Sequence, residues 1–125
     1  MFMATRKRGQ GSKWCRPSTR LAIYHRDGFC CVYCGRGAEE GVQLTLDHIV
    51  ACELGGTNEA SNLVTACLSC NSAKQHKTMR AWFQALRDQG VNTNGLALRV
   101  RRHAARKLNR EAGRALLTER TQQAA

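Results

Sequence analysis

Two Cys-x2-Cys pairs are the residues of this chain whose types and spacing predict chemistry most directly. Cys31 and Cys34 form the first pair, Cys67 and Cys70 form the second, and 32 residues lie between the pairs. Four thiolates in this pattern are typical of a closed, tetrahedral Zn²⁺ site. A closed site has no open position for water, so the predicted zinc is structural. Cys30 would leave a longer x3 loop, and we treat it as a spare.

Any catalysis must therefore come from side chains that the zinc holds in place. Four polar residues lie within or just after the interval between the pairs, namely Asp47, His48, Asn62 and Asn71. A histidine titrates near neutrality and can take a proton from water, which makes His48 a candidate general base. Taken alone, Asp47 and His48 could equally be a buried polar pair that stabilises a turn.

The elements around these residues predict an α+β fold. Residues 42–46 alternate apolar and polar, as in a β-strand, and a regular continuation places Leu46 and His48 on one face and Asp47 on the other. Residues 62–66 read as a second short strand, and a short helix is expected over residues 71–75.

Helices are expected on both sides of this core. Pro17 suits the first turn of a helix that continues to Arg26 and stops at Gly28. Thr78 can cap a helix that runs to residue 89, and an Ala-, Leu- and Arg-rich segment favours a third helix from residue 96 to about 117.

The strings RDGFCCVYCG, LDHIV, GGTNEASNLVTAC and LSCNSAK occur in register, and together they resemble an HNH endonuclease of the zinc-ribbon type. His48, Asn62 and Asn71 match the three positions that name the family, in an H-N-N version. The resemblance covers roughly residues 21–83, and it implies a ββα-metal (His-Me finger) core stapled by the four-cysteine zinc site. The chain departs from many relatives at Ala51, where they carry proline.

The resemblance also implies an activity, which is metal-dependent hydrolysis of DNA phosphodiester bonds by nicking or double-strand cutting. His48 is then the general base, and Asn62 tethers the loop that orients it. One Mg²⁺ or Mn²⁺ ion is expected at Asp47 and Asn71, whose oxygens suit a hard cation. Lys74 could hold a phosphate.

Net charge is distributed unevenly over three predicted segments. The chain carries +11, and residues 1–20 and 99–125 each contribute +6, whereas residues 21–98 contribute −1. We expect a flexible basic arm over 1–16, an HNH nuclease domain over 17–90 and a basic helical extension over 91–125. Such basic segments attract phosphate backbones. The expected DNA contacts in the extension are Arg99, Arg101, Arg102 and Arg106.

Composition bounds the setting and the alternatives. No apolar run approaches the length of a membrane span, and no apolar stretch follows the early basic residues as in a signal peptide, so we expect a cytoplasmic protein. One alternative function is a non-catalytic zinc module that binds DNA. Another is a zinc scaffold whose C-terminal helix docks on a larger protein of a phage or mobile element. His76 is left out of the metal site because its position on the short helix is turned away from Asn71.

Overall fold

A two-stranded antiparallel sheet lies at the centre of the computed structural model, which describes residues 14–124. Strand β1 is Leu44–His48 and strand β2 is Leu63–Cys67. The register pairs Leu44 with Cys67 and His48 with Leu63, so the two strands match along their full length. The predicted strands are present, each displaced toward the C-terminus by one or two residues.

Five helices surround the sheet in the described part of the chain. They are α1 (Pro17–Arg26), α2 (Leu68–Lys74), α3 (Met79–Asp88), α4 (Leu96–Ala105) and α5 (Arg110–Ala124). Short 3-10 turns occur at Ala38–Glu40, Cys52–Leu54 and Ala60–Asn62. The order β1, loop, β2, α2 is the ββα unit that the resemblance implies, and the fold is α+β as expected.

Local signals explain where two of the helices begin. Pro17 opens α1, where its missing N–H costs no hydrogen bond. Thr78 caps α3, because its hydroxyl accepts a hydrogen bond of 3.1 Å from the backbone N–H of Ala81. Gly28 has φ +71°, a left-handed conformation that lets the chain turn after α1.

Two groups of buried side chains form the core, one on each side of the sheet. The group on the α2–α4 side includes Tyr33, Val64, Trp82, Leu86 and Val100. The group on the α1 and α5 side includes Ile23, Tyr24, Leu46 and Leu63. The chain therefore packs helices on both faces of a very small sheet, which could not bury enough apolar area alone.

A buried ion pair joins α1 to β2 and α4. Arg26 Nε lies 2.8 Å from Asp27 Oδ1, and the Arg26 guanidinium also donates to the carbonyl of Leu63 at 2.7 Å. Asp27 Oδ2 accepts from the backbone N–H of Thr65 at 2.9 Å, and His103 Nδ1 lies 3.2 Å from Oδ1. Each buried charge is thus paired and hydrogen-bonded, as burial requires.

The C-terminal region contains two helices where the sequence predicted one. Arg106 adopts an extended conformation (φ −68°, ψ 140°) and ends α4. Asn109 then caps α5, since its side-chain oxygen accepts a 2.9 Å hydrogen bond from the N–H of Ala112. The single-helix prediction was wrong because the Ala, Leu, Arg and Lys that favour a helix surround an Asn that acts here as a cap. The first thirteen residues of the predicted basic arm lie outside the described residues.

The contact between α5 and α1 depends on a glycine. A Cβ atom at Gly113 would lie 2.3 Å from the carbonyl oxygen of Ser18 and 2.8 Å from the Cβ of Ala22. The two helices therefore approach more closely than any side chain at residue 113 permits.

We expect Gly113→Ala to lower the free energy of unfolding by up to about 2 kcal/mol, measured by urea denaturation. Alanine in a helix ordinarily gains about 1 kcal/mol over glycine, but overpacking costs about 1–3 kcal/mol. Thr118→Ala, on an exposed part of α5, is the control and should be neutral or slightly stabilising. A stabilised Gly113→Ala protein would contradict the close packing.

Candidate functional site

The four cysteines of the two pairs converge on one point. The sulfurs of Cys31, Cys34, Cys67 and Cys70 all lie within 4.8 Å of one another, and the Cys34 and Cys67 sulfurs are 3.8 Å apart. A tetrahedron with Zn–S bonds of about 2.3 Å has sulfurs about 3.8 Å apart, so the cluster needs only a small contraction to bind zinc. Cys30 lies outside this cluster, as expected, and its backbone forms an isolated antiparallel β-bridge with Gly37.

Hydrogen-bond donors surround the sulfurs of the cluster and lower the pKa of Cys31, whereas burial raises the pKa of Cys67. The N–H of Cys34 points at Cys31 Sγ (3.5 Å), and the N–H of Cys70 points at Cys67 Sγ (3.4 Å). The Arg36 guanidinium donates to Cys34 Sγ at 3.5 Å and to Cys67 Sγ at 3.9 Å. The hydrogen bond from Cys70 lowers the pKa of Cys31 to about 4. The sulfur-only donor set, with a cation beside it, suits zinc.

The imidazole of His48 lies at the end of β1, on the face that carries Leu46. Its Nε2 atom is 2.8 Å from Asn58 Oδ1, and its ring centroid lies 4.9 Å from that of Trp14. An amide oxygen can only accept, so Nε2 must carry the proton and donate it to Asn58. The Nδ1 atom is then the one with a free lone pair, which is what a general base requires.

Asn62 fastens the loop that joins the two strands. Its Oδ1 accepts from the N–H of Val50 at 2.9 Å, and its Nδ2 donates to the carbonyls of Val50 (3.0 Å) and Thr57 (2.7 Å). Gly56 lies against this junction, where an added Cβ would be 1.7 Å from the Val50 oxygen. These hydrogen bonds fix the loop backbone at Val50 and Thr57. Asn58, the next residue of the loop, contacts His48.

Asp47 faces the opposite side of β1 and is buried with 4% of its surface exposed. Its Oδ1 lies 3.2 Å from Lys74 Nζ, and its Oδ2 accepts a hydrogen bond from the Tyr33 hydroxyl. Burial raises the pKa of Asp47 above its ordinary value, although Lys74 and Tyr33 act in the opposite direction. Burial also keeps the pKa of Tyr33 high, so the phenol stays protonated and donates.

Asn71 projects from α2 onto the same face of β1 as Asp47. Its Nδ2 donates to Thr45 Oγ1 at 2.9 Å and to the carbonyl of Leu46 at 3.1 Å. The oxygens of Asp47 and Asn71 are the right donor types for a hard cation. The arrangement does not fit such an ion as it stands, because an ion at Asp47 Oδ1 would meet the Lys74 ammonium.

The expectation that Lys74 holds a phosphate must be corrected. Lys74 is 1% exposed, and its ammonium donates to Asp47 and to the carbonyl of His48 at 3.0 Å. A phosphate cannot reach a group that is enclosed and engaged in this way. Lys74, three residues after Asn71, instead forms a buried ion pair with Asp47.

The predicted DNA-binding arginines of α4 have mixed environments. Arg101 and Arg102 are exposed, whereas Arg99 donates to the carbonyl of Val32 at 3.0 Å, and Arg106 lies 3.5 Å from the carbonyl of Arg26. His76 lies on the surface and contacts Glu53 at 3.0 Å.

Three partners of the site were missed by sequence reasoning. Asn58 was predicted only to lie in a turn, and no sequence pattern links it to His48, ten residues earlier. Tyr33 lies inside the first cysteine pair, where its phenol gave no sign of reaching Asp47. Arg36 could have been found, because a basic residue two positions after Cys34 is well placed to offset thiolate charge.

Cys31→Ser should abolish zinc binding and unfold the core, because a structural zinc site contributes directly to folding. The measurements are metal analysis of the purified protein, expected to give about one zinc per parent chain, and far-ultraviolet circular dichroism. The matched control is Cys30→Ser, one residue away and outside the cluster, which should retain both zinc and structure. Equal zinc contents in the two variants would contradict the assigned ligand set.

Lys74→Met should lower the free energy of unfolding by about 3–5 kcal/mol, since it leaves a buried carboxylate without its cation. The double variant Asp47→Asn, Lys74→Met should be less destabilised than the sum of the two single changes. Urea denaturation of all four proteins measures this coupling. Strict additivity would show that the buried pair does not exist in solution.

Comparison with known protein families agrees with the geometry. The HNH endonuclease family model matches residues 31–77, a segment that includes all four sulfurs, both strands and α2. No curated protein and no solved structure matches the chain significantly. No helix in the described residues is both long enough and apolar enough to cross a membrane. The resemblance read from the sequence is thus confirmed over residues 31–77, the segment that the HNH endonuclease family model matches.

Proposed function

We propose that this protein is a metal-dependent endonuclease that hydrolyses phosphodiester bonds of DNA, with His48 as the general base. The HNH domain indicates a nuclease, and proteins of this family act on DNA. The observation that carries the proposal is the setting of His48 within that domain. The His48 imidazole is half-buried at the end of β1, and its Nε2 atom is hydrogen-bonded to Asn58 Oδ1.

The tautomer of His48 supports this role. With Nε2–H donated to Asn58, the Nδ1 lone pair accepts a proton from a water molecule, and the resulting hydroxide attacks phosphorus. The bond from phosphorus to the 3′ oxygen breaks, and that oxygen takes a proton from solvent. The products are a 5′-phosphate and a 3′-hydroxyl, as the family resemblance implies. Asn58 is in this scheme a positioning residue, because it acts through the imidazole.

Metal dependence is part of the proposal because the resemblance implies it. Mg²⁺ or Mn²⁺ would relieve charge on the phosphoryl oxygens. The resemblance implies Asp47 and Asn71 as its ligands, but the buried pair of Asp47 with Lys74 and the placement of His48 on the other face of β1 do not fit an ion that acts beside that imidazole. Lys74 competes for the same carboxylate, so binding of an ion there requires its ammonium to move. We assign no catalytic step to Asp47.

DNA is the proposed substrate and partner, in keeping with the distribution of charge. The matched HNH segment lies within a near-neutral part of the chain, whereas the sequence on either side is strongly basic. On α4, Arg99, Arg101, Arg102 and Arg106 are proposed phosphate contacts. Charge neutralisation of this kind would make binding strongly dependent on salt.

The proposal is tested by cleavage of supercoiled plasmid DNA with Mg²⁺, Mn²⁺ and other divalent ions. His48→Ala should lower the cleavage rate about 10²–10⁴-fold, the contribution typical of a general base. His76→Ala is the matched control, because that histidine lies on the surface beside Glu53, and it should cleave at the parent rate.

A parent protein that binds DNA but cuts it with none of the ions would favour the non-catalytic zinc module instead. The engagement of Asp47 by Lys74 is the one observation in favour of that alternative. Cleavage by His48→Ala at the parent rate would instead leave the nuclease in place and remove His48 as its base.

A further inference from the structure

We infer that a cleft beside His48 is a binding site for a nucleic-acid strand, whose phosphates are contacted by Arg16, Arg110 and Arg114. This inference deepens the proposed function and rests on it for the identity of the ligand. None of these arginines was predicted as a DNA contact from the sequence. They come together only because the two ends of the described chain pack against each other.

The cleft has a volume of about 590 Å³ and three walls. The first wall is the chain from Trp14 to Thr19, which leads into the first turn of α1. The second is the segment from Asn58 to Ser61, and the third is the start of α5 with Arg110 and Arg114. A cleft between separate elements, open along one side, can accept an extended chain.

The same cleft lies next to the candidate base, which contacts two of its lining residues. Asn58 lines it and also holds His48 Nε2 at 2.8 Å. Trp14 lines it too, and its ring lies 4.9 Å from the imidazole. A nucleic-acid strand that lies in this cleft is therefore next to His48.

The charge of the cleft selects a polyanion. Three arginines line it, against the single carboxylate of Glu59. Arg16 and Arg114 are exposed, and an Nη atom of Arg110 lies 3.5 Å from Thr19 Oγ1, another residue that lines the cleft. The positive end of the α1 dipole borders the same space and adds to its potential.

The neighbouring sequence strengthens the choice of a phosphate backbone as the ligand. In the sequence, Arg6, Lys7, Arg8 and Lys13 precede Trp14, the first residue of the first wall of the cleft. The other basic cavity, on α4, is smaller at about 290 Å³. It is lined by Arg99, Arg102 and Arg106, and by none of the residues that contact His48. The cleft at α5 is thus the better candidate for the strand next to the reaction.

The test compares two double variants of the full-length, zinc-loaded protein that lose the same charge. Arg110→Gln, Arg114→Gln removes two cleft arginines, and Arg80→Gln, Arg87→Gln removes two exposed arginines of α3. Binding to a fluorescently labelled DNA duplex is followed by anisotropy over a range of salt concentrations, without added divalent ions. Each lost phosphate contact reduces the slope of log affinity against log salt by about 0.9, so the cleft variant should lose about 1.8.

The control pair should retain a slope close to that of the parent. Equal losses in the two double variants would overturn the inference, because they would show a response to overall charge. If the cleft variant is unfolded by circular dichroism, Arg16→Gln decides the question, with an expected slope loss of about 0.9. An unchanged slope in a folded Arg16→Gln protein then overturns the inference.

The outcome is separable from the proposed function. A parent that cuts no DNA, together with a cleft variant that loses the expected slope, would leave the binding site standing without the nuclease. A parent that cuts DNA, together with a cleft variant that binds and cuts equally well, would leave the nuclease standing without this site.

Discussion

Convergence of four sulfurs is the constraint on which the rest of this structure depends. The first cysteine pair precedes β1, and the second spans the end of β2 and the first turn of α2. A metal at the cluster therefore ties the segment before β1 to the end of β2, at the end of the sheet where Leu44 pairs with Cys67. A sheet of this size is marginal without such a tie. The Cys67 sulfur also accepts the N–H of Cys70, which sets the direction of α2 and the side chains it presents.

Alternation along β1 then divides the polar residues between two faces. The face toward α2 carries Thr45 and Asp47, where Asn71 and Lys74 meet them. The other face carries Leu46 and His48, where Asn58 holds the imidazole. Asp47 and His48 thus lie on opposite faces of a single strand, and an open basic cleft lies next to the His48 face.

Short-range signals made much of this arrangement predictable. Cysteine spacing, the proline at the start of α1, the threonine cap of α3 and the alternation of β1 each act within a few residues, and the structure has them all. Three other features depend on residues that are farther apart in the chain. They are the burial of Lys74 against Asp47, the hydrogen bond of Asn58 to His48 and the packing of α5 against α1. No local pattern separates a buried lysine from a solvated one, so the phosphate role given to Lys74 was wrong. The Asn109 cap was missed because helix propensity outweighed it in the reading of residues 96–117.

The close approach of Gly113 to α1 has a consequence for the order in which the protein matures. A ribosome makes residues 31–77 before α5, so all four sulfurs are present in the chain before that helix is made. The wall that bears Arg110 and Arg114 is made later, because α5 lies C-terminal to the HNH segment. A nascent chain at that stage would carry the His48 imidazole without the basic cleft beside it. The proposed nucleic-acid contacts of Arg110 and Arg114 would form only after α5 packs against α1.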